Sequence, residues 1–229
     1  MTTIDRQMTL SDLVTSRPGL ARELEKLELD YCCHGNRSLA DAAATAGLDV
    51  DQVVTTLEGV EAPVEDAAWV ELDLGDLTKH VCDKHHAYLW EELPRLSMLT
   101  DKIAQVHGAH HPELKDVATT YATLRVALEP HMRREEIRIF PAIGRLDDRA
   151  DAELPGMIQR LVDEHEACGE LFGELRRLTD GYTVPADGCN AYRMTMEGLA
   201  ELERDTFEHI HKENNVLFPR ALAKVPAEV

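Results

Sequence analysis

The sequence predicts an all-α protein, a small N-terminal helical domain followed by an up-down-up-down four-helix bundle. Three observations carry that reading. Apolar residues recur at steps of three and four through most of the chain, and few segments show the Val/Ile/Thr alternation of strands. Beyond residue 73, four helical patterns of roughly 25 to 30 residues are joined by short loops, which favours antiparallel neighbours. Finally, one motif is written twice. His131-Met-Arg-Arg-Glu135 runs on to Phe140-Pro141, and His209-Ile-His-Lys-Glu213 runs on to Phe218-Pro219.

Residues 1–60 form the small domain. Leu10, Leu13 and Val14 begin one apolar face, and Leu20, Leu24 and Leu27 follow after Pro18 at a helix start. Ser38 and Asp49 are N-caps for two further short helices, 39–46 and 50–58. Between the second and third helices stands Asp30-Tyr-Cys-Cys-His-Gly35, a turn holding two thiols and an imidazole. Residues 61–72, with Pro63 and several acids, read as a linker, and 73–229 as the bundle.

The first bundle helix runs from near Asp73 to Val106, with a bend expected at Pro94. The second starts at Pro112 and ends near Phe140-Pro141, the third runs from Pro155 to near Asp180, and the fourth from Asp187 to near Phe218-Pro219. Pro130, directly before His131, is a second expected kink. The two Phe-Pro pairs read as helix-end packing. Cys82, Cys168 and Cys189 read as small packing residues, and His110-His111 as a solvated loop.

On a helix, four residues span roughly 400° and about 6 Å, so each His-x-x-x-Glu pair shares one face and can grip one ion. Asp83-Lys-His85 and Asp163-Glu-His165 precede the two copies by 46 and 44 residues. Leu77, Val81, His85 and Leu89 stand at four-residue steps, and His131, His165 and His209 likewise continue apolar stripes. Burying four imidazoles and two carboxylates unpartnered would be costly, and shared metal coordination satisfies all six. Imidazole with carboxylate and no thiolate suits iron or manganese better than structural zinc. Glu135 and Glu213 are the natural bridges, with two histidines completing each ion and positions left for a small ligand. Asp163 and Glu164, beside His165, offer either residues that orient it or surface acids, and the second reading is favoured because neighbours on a helix point elsewhere.

Bulk properties narrow the partners. Acidic residues outnumber basic ones 43 to 24, for a formal charge of −19, which disfavours nucleic acid and anionic lipid. Met1 to Leu10 lacks the layout of a signal peptide, and no apolar run approaches membrane-spanning length. Five cysteines, including the adjacent pair Cys32-Cys33, suit a reducing cytoplasm rather than a disulfide framework. That pair, in a turn beside His34, reads either as two unrelated thiols or as an accessible pair for iron or redox exchange.

Taken together, Asp30-Tyr-Cys-Cys-His-Gly35, His131-x-x-x-Glu135, Glu164-His165 and His209-x-x-x-Glu-Asn-Asn-Val-Leu-Phe-Pro219 resemble the bacterial RIC (repair of iron centres) proteins. These combine a vicinal-cysteine domain with a hemerythrin-like di-iron bundle, and the resemblance covers nearly the whole chain. It implies two non-haem iron ions, oxo- or hydroxo-bridged, held by His85, His131, Glu135, His165, His209 and Glu213, with His86 the fallback for His85 and His107 an auxiliary residue. It also implies repair of iron–sulfur clusters damaged by nitrosative or oxidative stress, by iron donation, with damaged cluster proteins as partners. A role for Cys32 and Cys33 in iron transfer goes with it. A hemerythrin-like binder or sensor of dioxygen or nitric oxide, and a di-iron nitric oxide reductase, are the competing readings. A homodimer stays open.

Overall fold

Side-chain caps set where the short N-terminal helices begin. Thr9 accepts from the Asp12 amide at the head of α1 (Leu10–Ser16), Ser38 from Asp41 at α3 (Leu39–Thr45), and Asp49 from Asp51 and Gln52 at α4 (Val50–Glu58). Each such cap satisfies an otherwise orphaned amide and contributes about 1 kcal/mol. α2 (Ala21–Lys26) follows a 3₁₀ turn over Pro18–Leu20. The structure, a computed structural model, describes residues 4–60, 67–147 and 151–225. Residues 61–66 of the expected linker therefore lie outside the described residues. Its remainder opens with a 3₁₀ turn over Ala67–Glu71.

Four long helices follow. α5 consists of Leu74–Val81, Cys82–His86 and Ala87–His107, and α6 of Leu114–Arg134, Glu135–Ile139 and Phe140–Ile143. α7 is the uninterrupted Leu154–Leu178, and α8 consists of Asn190–Lys212, Glu213–Leu217 and Phe218–Leu222. The fold is all-α, as the periodicity predicts. The middle segments of α5, α6 and α8 are π-turns, in which the amides of Ala87, Phe140 and Phe218 reach back five residues to the carbonyls of Cys82, Glu135 and Glu213. Pro141 and Pro219, which have no N–H, follow directly where the ladder is already offset. Helical segments run on through Pro94 and Pro130, so the irregular turns fall elsewhere than at those prolines.

α8 begins at Asn190, three residues later than expected. The Gly188 amide closes a turn onto the Pro185 carbonyl and leaves Cys189 as an exposed N-cap rather than a packed helical residue.

Two apolar clusters fill the bundle. Leu89, Leu93, Tyr121, Leu124, Phe172 and Leu199 belong to one, and Leu77, Val81, Ile139, Phe140, Leu161 and Phe218 to the other. A polar layer of histidines and glutamates lies between them. The N-terminal domain has its own core, and Ile210 of α8 joins that core, which docks the domain on the bundle.

Candidate metal centre

The layer between the apolar clusters gathers six donors, each less than 5 % exposed. His86, His209, Glu135 and Glu213 form one group and His131, His165, Glu135 and Glu213 a second, with the ligand atoms of each within 4.8 Å of one another. Both glutamates belong to both groups. Glu135 Oε2 lies 3.4 Å from His86 Nε2 and its Oε1 3.3 Å from His131 Nε2. Glu213 Oε1 lies 2.8 Å from His209 Nε2 and its Oε2 3.2 Å from His165 Nε2. Each carboxylate thus spans from one histidine pair to the other.

The expected ligand His85 lies outside this group, and its neighbour His86 is inside. The physical reason is the π-turn at Cys82–His86, which inserts one residue into the four-residue count from Leu77 and Val81. His86 stands five residues beyond Val81 and takes the inward direction, while His85 points about 100° aside. His85 is equally buried, but its Nδ1 lies 2.9 Å from Asp205 Oδ1 and its Nε2 2.7 Å from Lys212 Nζ. His107, at the end of α5, pairs instead with Cys189 and takes no part in the donor layer.

Three side chains orient the imidazoles, and the sequence offers that role for Glu164 alone, as the less favoured reading. Glu164, expected as a surface acid, accepts at 2.7 Å from His131 Nδ1 and is itself held by Arg134. Glu136 accepts from His86 Nδ1 at 3.0 Å and from the Trp90 indole at 2.9 Å. Asn214 Oδ1 lies 2.8 Å from His165 Nδ1. With Nδ1 donating to these acceptors, the Nε2 atoms point into the layer, the orientation a metal ligand needs. The Phe-Pro tails also do more than end helices: Phe140 stacks on His86 at 5.6 Å and Phe218 on His165 at 6.2 Å. A residue five beyond Glu135 or Glu213 meets a histidine because of the π-turn. Proline right after the phenylalanine was the available sign of it.

The donor set fits a cation pair. Both Glu135 oxygens and Glu213 Oε2, which face the layer, are buried with no hydrogen-bond partner, as expected of oxygens that a cation would engage. The Nε2 atoms of His131 and His165 face each other at 3.0 Å, and those of His86 and His209 at 3.2 Å. Two imidazoles can share at most one proton there, whereas a cation accepts both lone pairs. Charge points the same way. Burial alone would lower His86 and His131, yet Cys82 and Glu135 at the first and Glu135 and Glu164 at the second outweigh it, lifting them to about 11 and about 10. Burial would raise Glu135 and Glu213, but facing histidines hold both below the usual carboxylate range. The layer is built to hold positive charge between two carboxylates.

The cysteine turn abuts this layer. Asn215 Nδ2 donates to the Tyr31 and Cys32 carbonyls at 3.2 and 3.0 Å, and Asn214 Nδ2 reaches the Cys32 carbonyl at 3.4 Å. Gly35 makes the approach feasible, since a Cβ there would stand 2.4 Å from the Tyr31 carbonyl and 2.7 Å from Asn215 Oδ1. Asp30 Oδ1 accepts from the amides of Cys32 and Cys33 and from the Cys32 thiol at 3.2 Å, and Asp30, Cys32 and Cys33 form a third group of potential metal donors. The Cys32 thiol is buried, and contact with Cys33 together with burial raises it well above its ordinary range.

A four-helix bundle holding a histidine–glutamate layer of this kind defines a hemerythrin-type cation-binding protein, and the Hemerythrin HHE cation binding domain matches residues 77–221. The ScdA N-terminal domain, a domain of unknown function, matches residues 6–61. The iron–sulfur cluster repair protein YtfE of Escherichia coli O1:K1 / APEC is 36% identical over 220 residues, covering 95% of this chain and 98% of the relative. YtfE of Enterobacter sp. (strain 638) is 34% identical over 218 residues (95% and 98%), and ScdA of Staphylococcus haemolyticus (strain JCSC1435) 32% over 219 (94% and 98%). The chain belongs to the YtfE/ScdA family of iron–sulfur cluster repair proteins.

Proposed function

We propose that this protein repairs damaged iron–sulfur clusters by delivering iron, with His86, His131, Glu135, His165, His209 and Glu213 holding two iron ions and the Cys32-Cys33 turn receiving the ion on its way out. Imidazole and carboxylate without thiolate favour iron over softer metals, and the relatives are iron–sulfur cluster repair proteins. Among the described residues no helix is long and apolar enough to cross a membrane. Damaged cluster proteins are the acceptors on this reading, and five cysteines without a disulfide fit a reducing cytoplasm.

One observation carries the delivery reading: Asn214 touches both ends of the route. Its Oδ1 meets the Nδ1 of His165, and its Nδ2 reaches the Cys32 carbonyl. A cavity of about 390 Å³ lies beside the turn, lined in part by Asp30, Cys32, Cys33, His34, Glu166 and Glu170. Carboxylates, thiols and an imidazole along one cavity offer a leaving cation successive donors. In this mechanism Glu164, Glu136 and Asn214 keep the imidazole Nε2 atoms directed inward, and protons returning to His86 and His131 restore the charge balance as iron departs. Bound iron supplies Lewis-acid and redox capacity at the layer.

The test is anaerobic transfer from iron-loaded protein to a dehydratase whose cluster has been damaged, against an equal amount of free iron. Faster recovery with the loaded protein is expected, together with loss of iron from the bundle. Recovery no better than free iron would sink the donor reading. A Cys32→Ala/Cys33→Ala variant that donates as well as the parent would remove the turn from the route.

A further inference from the structure

Cys189 and His107 meet at the end of the bundle far from the metal layer. His107 is 21 residues beyond His86 on α5, roughly 30 Å along the helix. Cys189 Sγ lies 3.1 Å from His107 Nε2, and the two residues are 82 apart in sequence. Neighbouring side chains hold the pair in place. The His107 ring meets the edge of Tyr192 at 5.4 Å and that of His111 at 6.4 Å. His111 is fixed in turn, with Nδ1 3.1 Å from Glu113 and Nε2 3.1 Å from Asp187. Both interhelical loops at this end therefore support one thiol–imidazole contact.

The other cysteines are differently placed. Cys32 and Cys168 are buried, Cys33 and Cys82 are half-buried, and Cys189 is exposed at the N-cap of a 23-residue helical segment. Cys168 shows the contrast: burial pushes its thiol up, beyond the range where a thiolate forms near neutral pH.

We propose that Cys189 and His107 form a reactive thiol–imidazole pair, a modification site that captures low-molecular-weight thiols by exchange with their disulfides. The Cys189 proton moves to His107, and the Cys189 sulfur attacks one sulfur of the incoming disulfide. A new S–S bond forms, the old one breaks, and its electron pair leaves on the second sulfur, which takes the proton back from His107. Cys189 is oxidised to the mixed disulfide and one half of the small disulfide is reduced to thiol, so electrons and protons balance. Contact with His107 first, and then the backbone amides of Tyr192 and Ala191, draw the Cys189 thiol down to about 7. Attacking thiols near ambient pH exchange fastest, and a helix N-terminus favours the thiolate. The charged and titratable groups facing the pair are His111, Glu113, Asp187 and Tyr192.

The test treats the full-length, metal-loaded protein with limiting glutathione disulfide at pH 6, followed by peptide mass spectrometry. Cys189 is expected to be modified before Cys33 and Cys82. His107→Gln should slow its modification roughly tenfold, the net of lost thiolate and the greater nucleophilicity of a more basic thiol. Cys189→Ser should abolish the fast phase and leave the bound metal unchanged. In the parent protein the rate should rise through a midpoint near neutrality. A midpoint in the ordinary thiol range, first modification at Cys33, or a His107→Gln variant of unchanged helicity reacting at the parental rate would each overturn the proposal.

Discussion

Lys212 Nζ lies 2.7 Å from His85 Nε2, so the first histidine of the His85-His86 pair is engaged by a buried lysine rather than by the metal layer. Burial, with Lys84 nearby, lowers Lys212 to about 7, and burial with Lys212 depresses His85 well below its ordinary value. A neutral His85 donates from Nδ1 to Asp205 and accepts at Nε2 from Lys212. The pair therefore divides its labour, His86 facing the histidine–glutamate layer and His85 closing a polar contact behind it.

The two histidines should separate cleanly under mutation. His86→Ala removes a donor belonging to one of the two groups, and iron content is expected to fall by about half. His85→Ala should keep its iron but lose about 1–3 kcal/mol of stability, because Lys212 and Asp205 are left buried without their partner. Metal analysis and urea unfolding measure both. Full iron in His86→Ala would return the ligand role to His85.

Asn214 meets both His165 and the cysteine turn. Asn214→Ala frees the Nδ1 of His165, and loss of such an orienting partner typically costs about 10–100-fold in metal affinity. Competition with a chromophoric chelator reads that change directly. An unaltered affinity would mean that stacking on Phe218 alone orients His165.

Metal uptake should be strongly pH-dependent, and the sign follows from the raised values of His86 and His131, about 11 and about 10. Both imidazoles carry protons at neutrality that a cation must displace, so affinity falls as pH falls, by up to about tenfold per unit for each proton released. The fold without cation responds in the opposite sense. Its stabilisation by these protons is fully present below the unfolded histidine value near 6.5 and is lost as pH rises through about 10 to 11. Titration calorimetry in two buffers of different ionisation enthalpy counts the protons. No release at pH 7 would contradict the charge balance described above.

Glu25 offers a test outside the metal layer. Burial raises its carboxyl to about 7 despite the 2.8 Å bond from the Tyr31 hydroxyl. The stability it contributes is fully present below about pH 4.5 and is lost as pH rises through about 7. The loss is at most about 3 kcal/mol. Glu25→Gln mimics the protonated form, so its urea midpoint should decline less than the parent's between pH 5 and 8. Parallel pH profiles for the two proteins would refute the assignment.

Helical periodicity and capping made the architecture legible. Ser38 and Asp49 cap the helices they were expected to cap, and all four bundle helices appear with ends shifted by a few residues. α8 starts later than its helical pattern predicts because the Pro185–Gly188 turn takes up the residues before Asn190, which places Cys189 at the surface rather than in the core. Glu164 reads more readily as a surface acid, and Glu136 and Asn214 carry no signal of their own, because an acid or amide on a helix looks the same whether it meets water or an imidazole on the next helix.

By itself, the sequence determined the donor types and their pairing. Histidine and glutamate four residues apart share a helix face whatever surrounds them, so His131 with Glu135 and His209 with Glu213 followed from helix geometry alone. Only the tertiary structure decided which of His85 and His86 turns inward. A π-turn inserts one residue and rotates everything after it, and its lost hydrogen bonding is tolerated where the redirected side chain completes a six-donor layer drawn from four helices. The meeting of Cys189 with His107 belongs to the same class, for contacts across 82 residues of chain arise from packing and not from local spacing.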